Sequence, residues 1–229
     1  MEKYFIRIKT IFDKTMLGDN ETLPLIQSHQ LSVKSSIFDR NRQLTIAKDY
    51  IEFDDNDLIS KSPTKFDKED IIGFRYGVKW INGYQFTIGR VYCIDIQNKQ
   101  NKIIKLRLKS IYGIRKKLLT EKYATIVNTL YDNFFDNISK DYLSRFDNKI
   151  DFELAGLFFT QSGISLNKKS KPISWDNVGT ASYKSYYTIF SKSDPSCYKA
   201  FEYLNDWNAG IIYSVSRQIL KNKDFYVDS

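Results

Sequence analysis

The spacing of apolar residues along this chain changes twice from the period of a β-strand to the period of a helix. Between residues 43 and 109 apolar and polar side chains mostly alternate, which is typical of half-buried strands. From Thr120 the apolar residues recur at every third or fourth position, as on one face of a helix. Short alternating segments then return, and a second helical pattern begins near Asn205. The sequence therefore predicts an α+β fold in two successive units, each with several strands followed by one helix.

The clearest predicted strand is KIIKLRLK, at residues 102–109. Successive side chains of a strand point to opposite faces. Ile104, Leu106 and Leu108 therefore belong to one face. The other face carries the cations Lys105, Arg107 and Lys109. The helix after it is predicted from a capping residue, Thr120, an early acid, Glu121, and a broad apolar stripe.

Two stretches of the first unit can be laid against two stretches of the second. They are LTIAKDYIEF (44–53) against LFFTQSGISL (157–166), and FDKEDI (66–71) against ISWDNV (173–178). The first pair aligns Asp49-Tyr50 with Ser162-Gly163, and both are predicted hairpin tips. We therefore predict units at residues 37–145 and 146–229.

The segment that precedes these units, residues 1–36, is predicted from two weaker patterns. Apolar residues between positions 4 and 16 fall near helical spacing, which predicts an amphipathic helix. Residues 31–36 are predicted as a short edge strand.

The order of these segments resembles the pleckstrin-homology-like (PH-like) superfold, particularly bacterial PH-like and GRAM-type domains. In the second half the resemblance is carried by 157–166, by the step Ile173-Ser-Trp-Asp-Asn-Val178 and by the helix from Asn205. In the first half it is carried by 44–53, 66–71 and the helix from Thr120. The resemblance implies that each unit is a bent antiparallel sheet or partial barrel closed by its C-terminal helix. It also implies recognition of a protein, a peptide or a lipid.

The chain departs from this pattern in two ways. The second half is short for a barrel of seven strands. Lipid-binding members of the family carry a basic cluster in their first hairpin loop, whereas the first unit has Asp54, Asp55 and Asp57 near that place. This argues against phosphoinositide binding by the first unit.

The positive charge of the chain is confined to one segment. Residues 71–119 contain eleven Lys and Arg residues and one acid, Asp95, whereas the whole chain has a net charge of +8. The electrostatic field of so many positive charges in one segment predicts an anionic partner. The alternative interpretation is that these charges form a solvated strand face and the end of a helix, and bind no partner. The predicted partner-binding residues are Lys79, Trp80, Tyr84, Arg90, Lys105, Arg107, Lys109, Arg115, Lys116 and Lys117. A weaker candidate cluster, in a loop of the second unit, is Lys168, Lys169 and Lys171.

The segment YGVKWINGYQFTIGRVYCID, residues 76–95, leads into this basic strand. Its three glycines, at 77, 83 and 89, predict a long hairpin that twists or bulges. The pattern places Lys79, Trp80 and Tyr84 at an exposed tip, and Phe86, Ile88 and Cys93 inside.

The residue inventory disfavours catalysis and bound cofactors. The single histidine, His29, falls outside the predicted elements and has no evident orienting partner, and no phosphate loop, nucleophile elbow or dinucleotide fingerprint is present. The acids after Phe53 lack the glycine and terminal glutamate of a calcium loop. Cys93 and Cys197 are too few for a disulfide scaffold and too distant in sequence for a zinc site. We therefore predict no catalytic residue, no metal and no cofactor.

The location and partner follow from the same inventory. No apolar run approaches the length of a membrane span, and Arg7 and Lys9 interrupt the most apolar part of the N-terminus, so the sequence predicts a cytoplasmic protein. The predicted function is a non-catalytic binding or adaptor module that recognises a protein or peptide. One alternative is peripheral binding to anionic membrane lipid through residues 71–119. A second alternative is nucleic-acid binding, with the interleaved aromatic residues stacking on bases.

Overall fold

A computed structural model describes residues 28–34, 39–55 and 62–225 of the chain. This part contains four antiparallel sheets, one long helix and one C-terminal helix, which confirms the α+β class. The chain divides into two compact units between Phe134 and Phe135. The boundary predicted after residue 145 falls within the helix that follows this division. The helix predicted between residues 4 and 16 lies outside the described residues.

The first unit contains two sheets whose strands are hydrogen-bonded in sequence order. The four-stranded sheet consists of β1 (Ser28–Val33), β2 (Arg42–Ala47), β3 (Tyr50–Phe53) and β4 (Thr64–Asp67). A 3-10 turn (Lys68–Asp70) connects it to the three-stranded sheet of β5 (Ile71–Asn82), β6 (Thr87–Asn98) and β7 (Ile103–Ile111). Since β1 is an outer strand of the first sheet, this sheet begins before residue 37, where the sequence placed the start of the unit. His29 lies in β1, so the prediction that it falls outside the regular elements is wrong.

The long helix begins four residues before its predicted start and has three parts. Helix α1 (Lys116–Leu130) is followed by a π-helical stretch (Tyr131–Phe135) and by α2 (Asp136–Asp147). Thr120, the predicted cap, lies inside α1, where its hydroxyl donates to the Lys116 carbonyl at 2.7 Å. Its oxygen also lies 2.5 Å from the Tyr92 hydroxyl of β6, and the Tyr92 and Tyr123 rings are 5.2 Å apart. The predicted apolar stripe of the helix therefore packs on the three-stranded sheet.

The second unit repeats the same order of elements after α2. Its four-stranded sheet consists of β8 (Phe152–Leu154), β9 (Leu157–Phe159), β10 (Gly163–Ser165) and β11 (Ile173–Ser174). A 3-10 turn (Trp175–Asn177) leads to the three-stranded sheet of β12 (Val178–Ser182), β13 (Tyr186–Ser191) and β14 (Tyr198–Glu202). The C-terminal helix is α3 (Ala209–Asn222). This half contains seven strands of two to six residues each, and within the described residues they form two sheets and do not close into a barrel.

The two sequence alignments fall on equivalent elements. Residues 44–53 form the β2–β3 hairpin, and 157–166 contain the β9–β10 hairpin. Residues 66–71 and 173–178 each contain the end of one strand, a 3-10 turn and the start of the next strand. Within the described ranges the hydrogen-bonded ladders of each unit form a four-stranded and a three-stranded sheet and do not close into a barrel.

Each unit has its own apolar core. In the first, Ile46, Ile51 and Ile94 are almost completely buried together with the stripe of α1. In the second, the Trp175 indole nitrogen donates to the Thr160 carbonyl at 3.0 Å while its ring meets Phe146 edge to face. The buried residues of α3 complete this core.

Candidate binding surface at the extended end of a sheet

The three-stranded sheet of the first unit is much longer than its counterpart in the second. Strands β5 and β6 have 12 residues each and β7 has 9. Their counterparts β12, β13 and β14 have 5, 6 and 5. At about 3.3 Å per residue, the additional six residues of β6 lengthen the hairpin by roughly 20 Å. We call residues 79–91 and 109–118, which form and adjoin this added part, the extended end.

The hairpin tip at the extended end exposes aromatic side chains. The Gly83 amide donates to the Phe86 carbonyl at 2.8 Å and closes the turn. Tyr84 is 98% exposed, Phe86 62% and Trp80 41%. The prediction that Phe86 lies inside is wrong, because it falls in the turn beyond the last paired residues, Asn82 and Thr87. Ile88 is half-buried and Cys93 is buried, the latter as predicted.

The connection from β7 to α1 lies beside this tip. The Tyr112 amide donates to the Ile88 carbonyl at 2.8 Å, and the Ser110 hydroxyl donates to the Ile114 carbonyl at 2.9 Å. Tyr112 and Arg115 have φ values of 50° and 57°, in the left-handed region that residues with side chains rarely adopt. Three large apolar side chains of this connection and of the first residues of α1 are exposed to solvent. They are Tyr112, Ile114 and Leu118, which are 72%, 49% and 47% exposed.

Cations surround these apolar side chains. The Arg90 guanidinium lies over the Trp80 ring, 4.5 Å from its centroid. Lys79 and Lys109 flank Val91 in one row of the sheet, and Arg115, Lys116 and Lys117 are all exposed. Residues that pair directly on neighbouring strands lie on the same face of a sheet, and successive residues of one strand lie on opposite faces. Because Val91 pairs with Lys79 and Lys109, the preceding residue, Arg90, points to the other face. Arg90, one of the predicted partner-binding residues, therefore lies on the opposite face of the sheet from Lys79 and Lys109.

The basic face of β7 is partly neutralised. Lys105, Arg107 and Lys109 share one face, as the alternation predicted. Asp95, which is 4% exposed, lies opposite Arg75 and Lys105 on the same face. Its Oδ2 accepts from the Arg75 Nε at 3.0 Å, and its Oδ1 lies 2.5 Å from the Arg107 Nη1. Arg107 also donates to the Ile94 and Leu106 carbonyls. Arg107 is therefore held by the protein itself, whereas Lys79, Lys105 and Lys109 keep their charge at the surface.

The weaker lysine cluster forms an ordinary surface loop of the second unit. The Asn167 side-chain oxygen accepts from the Lys169 and Ser170 amides, both at 2.9 Å. Lys168 lies 3.8 Å from the Glu153 carboxylate, and its Nζ is 5.7 Å from the centre of the Phe158 ring. Lys171 is exposed. The loop carries fewer exposed apolar side chains than the extended end.

The acids of the predicted first hairpin loop are engaged by neighbouring side chains. Asp54 pairs with Arg40, whose Nη2 donates to Oδ1 at 2.7 Å, and this bond holds the pKa of the carboxyl below its usual value. Asp55 accepts from the Thr64 hydroxyl at 2.8 Å. Asp57 lies outside the described residues. Among the residues that the structure describes, no three His, Cys, Asp or Glu side chains are grouped so that they could hold a metal ion.

Cys93 does not have the setting of a reactive thiolate. Cys93 and Cys197 are both free thiols, and burial raises the pKa of Cys93 above its ordinary value. A raised pKa keeps the sulfur protonated and poorly nucleophilic. No helix in the described part of the chain is long and apolar enough to cross a membrane.

Sequence reasoning missed Phe86, Tyr112, Ile114 and Leu118 as members of the surface. Tyrosine, isoleucine and leucine are usually counted as core residues when they occur near a strand end. The available signal was the sequence IYGIRKKL at 111–118, where apolar residues alternate with a glycine and three cations rather than with a regular period. Comparison of the sequence with protein-family models and with curated proteins finds no match.

Proposed function

We propose that this chain is a non-catalytic binding or adaptor module with two PH-like units, and that its partner contacts the extended end. The repeated order of four strands, a 3-10 turn, three strands and a helix supports the PH-like assignment. The observation that carries the function is the gathering of six exposed large apolar side chains on two adjoining segments. They are Trp80, Tyr84, Phe86, Tyr112, Ile114 and Leu118. Apolar groups clustered at a surface and bordered by polar ones mark interaction sites.

The charge around the cluster limits the chemical classes of partner that can bind there. Lys79, Lys109 and the three cations at the start of α1 are exposed, and the acid on this sheet, Asp95, is buried and paired. The partner therefore presents negative charge together with groups that accept aromatic side chains. A protein or peptide, which the sequence ranks first, and an anionic membrane surface both satisfy this description.

Site-specific photo-crosslinking tests the proposed function without assuming the class of partner. A benzophenone amino acid replaces Tyr84, and in a matched variant it replaces Tyr183, an exposed tyrosine at the shorter β12–β13 hairpin of the second unit. Irradiation in the source cells is expected to give protein or lipid adducts at position 84 and few at position 183. Equal labelling at the two positions, or none at 84, would contradict the proposal.

A further inference from the structure

We propose that the extended end docks on the surface of an anionic phospholipid bilayer. Its aromatic tip would lie at the level of the headgroups, and its lysines and arginines would face the lipid phosphates. This inference rests on the proposed function and names the partner of the same surface. It is a peripheral attachment, distinct from a membrane span.

The apolar side chains have the chemistry that a membrane interface selects. Trp80, Tyr84 and Tyr112 each combine a large apolar ring with a polar group, and such side chains are favoured at the headgroup level. The tip adds Phe86, which is 62% exposed. The hydrogen bond from the Tyr112 amide to the Ile88 carbonyl holds the second exposed segment next to the hairpin. Two adjoining segments thus present apolar groups that a bilayer interface can accept together.

The surrounding charge favours a lipid surface over a protein interface. The cores of protein interfaces are poor in lysine. Here the two segments that carry the apolar group also contain four lysines and two arginines. Lys79 and Lys109 lie on one face of the sheet and Arg90 on the other. The remaining three, Arg115, Lys116 and Lys117, are exposed at the start of α1. Residues 79–118 contain one acid, Asp95, and its carboxylate is buried between Arg75 and Arg107. Each cation near an anionic leaflet contributes to attraction, and the attraction needs no precise pairing geometry.

The position of the cations on α1 gives a second, independent argument. The first turn of α1 contains no acid, and Arg115 occupies the N-cap without a side-chain capping bond. Positive side chains at a helix N-terminus oppose the helix dipole and destabilise the isolated protein. If this end of the helix faced lipid phosphates, the anions would neutralise both the lysines and the positive end of the helix dipole. The unfavourable electrostatic interaction would then become favourable. The arrangement is unfavourable for stability and favourable for binding an anionic surface.

The second unit provides an internal reference. Its β12–β13 hairpin is short and carries Tyr183, whose ring stacks on Tyr186 with centroids 4.5 Å apart. Its lysine loop is tied to Glu153 and to a turn around Asn167. These residues give control substitutions of the same chemical type that lie outside the extended end.

Vesicle sedimentation of the full chain tests the inference. The wild-type protein is expected to sediment with phosphatidylcholine vesicles that contain phosphatidylserine, not with phosphatidylcholine alone, and to be released as ionic strength rises. Lys116→Gln with Lys117→Gln should weaken binding about fivefold for each lysine. Tyr84→Ser with Phe86→Ser should weaken it by on the order of tenfold for each residue. The control variants, Lys168→Gln with Lys169→Gln and Tyr183→Ser, should bind as the wild type does.

Three results would overturn the lipid assignment. They are failure to sediment with phosphatidylserine vesicles at low ionic strength, equal weakening by the control variants, and tighter binding of a single-stranded oligonucleotide through the same residues. Circular dichroism and urea unfolding of each variant separate lost binding from lost structure. A protein adduct at position 84 combined with no vesicle binding would leave the proposed function standing and remove the lipid. No adduct at position 84 combined with no vesicle binding would remove both.

Discussion

At the scale of single residues, Asp95 decides how much of the basic face is available to a partner. Arg75 and Arg107 are each about one-third exposed or less, and both lie against its buried carboxylate. A count of charges along the sequence treats these arginines like the neighbouring lysines. In the folded protein they form the centre of an ion-pair cluster, and the lysines around them carry the outward field.

Replacing Asp95 by Asn should therefore destabilise the first unit. The amide keeps the shape of the carboxylate but removes the negative charge that two half-buried guanidinium groups share, which we expect to cost about 1–3 kcal/mol of unfolding free energy. Urea unfolding gives the value. Asp67→Asn, which removes an exposed pair with Lys65, is the matched control and should change stability by less than about 0.5 kcal/mol. Equal effects of the two substitutions would show that the buried carboxylate of Asp95 contributes no more to stability than the exposed carboxylate of Asp67.

Lys116→Glu should stabilise the folded protein while weakening its binding to anionic vesicles. An acid in the first turn of α1 interacts favourably with the helix dipole and should raise the unfolding free energy by about 0.3–1 kcal/mol. Lys221 lies in the last turn of α3, so Lys221→Glu should lower stability by a similar amount. Thermal unfolding of both variants measures whether stability rises in the first and falls in the second. A loss of stability in Lys116→Glu would show that the lysine has a structural partner.

The Arg40–Asp54 pair predicts a defined pH dependence. Because the arginine lowers the pKa of Asp54, the pair contributes stability above the ordinary carboxyl pKa, and this contribution is lost as pH falls through the lowered value. The difference in unfolding free energy between wild type and Arg40→Met should thus be largest near neutrality and disappear in acid. Urea unfolding across this pH range measures it. A difference that stays constant with pH would mean that packing, and not charge, accounts for the contribution of Arg40.

At the scale of elements, the extended hairpin depends on close contact between β6 and β7. A Cβ atom added at Gly89 would lie 2.3 Å from the Ser110 carbonyl oxygen, which belongs to the backbone of β7. A Cβ atom at Gly83 would instead lie 2.9 Å from the end of the flexible Ile88 side chain. The two glycines occur in one hairpin but only one of them is required by the backbone.

Gly89→Ala should accordingly separate β7 from β6 near the tip and destabilise the protein by about 1–3 kcal/mol. Gly83→Ala should change stability by less than about 0.5 kcal/mol, because the Ile88 side chain can rotate away. Hydrogen exchange of the Tyr112 amide, which bonds to Ile88, reports directly on the contact. Unchanged exchange in Gly89→Ala would contradict the expected separation.

Elements with strong local periods were predictable from the sequence, and elements determined by distant contacts were not. The alternation of β7, the stripe of the long helix and the two strand–turn–strand steps each follow from spacing alone. The start of α1 was missed because it depends on a left-handed Arg115 rather than on a standard capping residue. The surface role of Tyr112 and Ile114 depends on the same turn. The bounds of β8 to β11 were not predicted, because segments of two or three residues are too short to show a period.

At the scale of the whole molecule, the two units share an order of elements but differ in charge. Residues 135–229 carry twelve Lys and Arg residues and eleven Asp and Glu residues, so the second unit is nearly neutral. The segment 71–119 alone carries ten net positive charges. The two units therefore repeat the order of elements but not the surface charge. The binding properties that we propose belong to the first unit only.

Cation-exchange chromatography can measure this asymmetry. Lys109→Gln, Lys116→Gln and Lys117→Gln together remove three charges from the extended end, and Lys168→Gln, Lys169→Gln and Lys171→Gln remove three from the second unit. Retention is governed by the strongest local field, so the first variant should elute at clearly lower salt than the second. Elution of both variants at the same salt concentration would show that retention depends on the net charge of the protein and not on where the charges lie.

The exposed tip also affects how copies of the protein behave in concentrated solution. The outer strands β5 and β7 are long, and an apolar tip beside two such strands favours self-association. Lys79, Lys105 and Lys109 oppose it, because molecules that approach through this end repel one another. Added salt screens that repulsion but leaves the apolar attraction intact. The protein should therefore stay monodisperse at low ionic strength and aggregate as salt is raised.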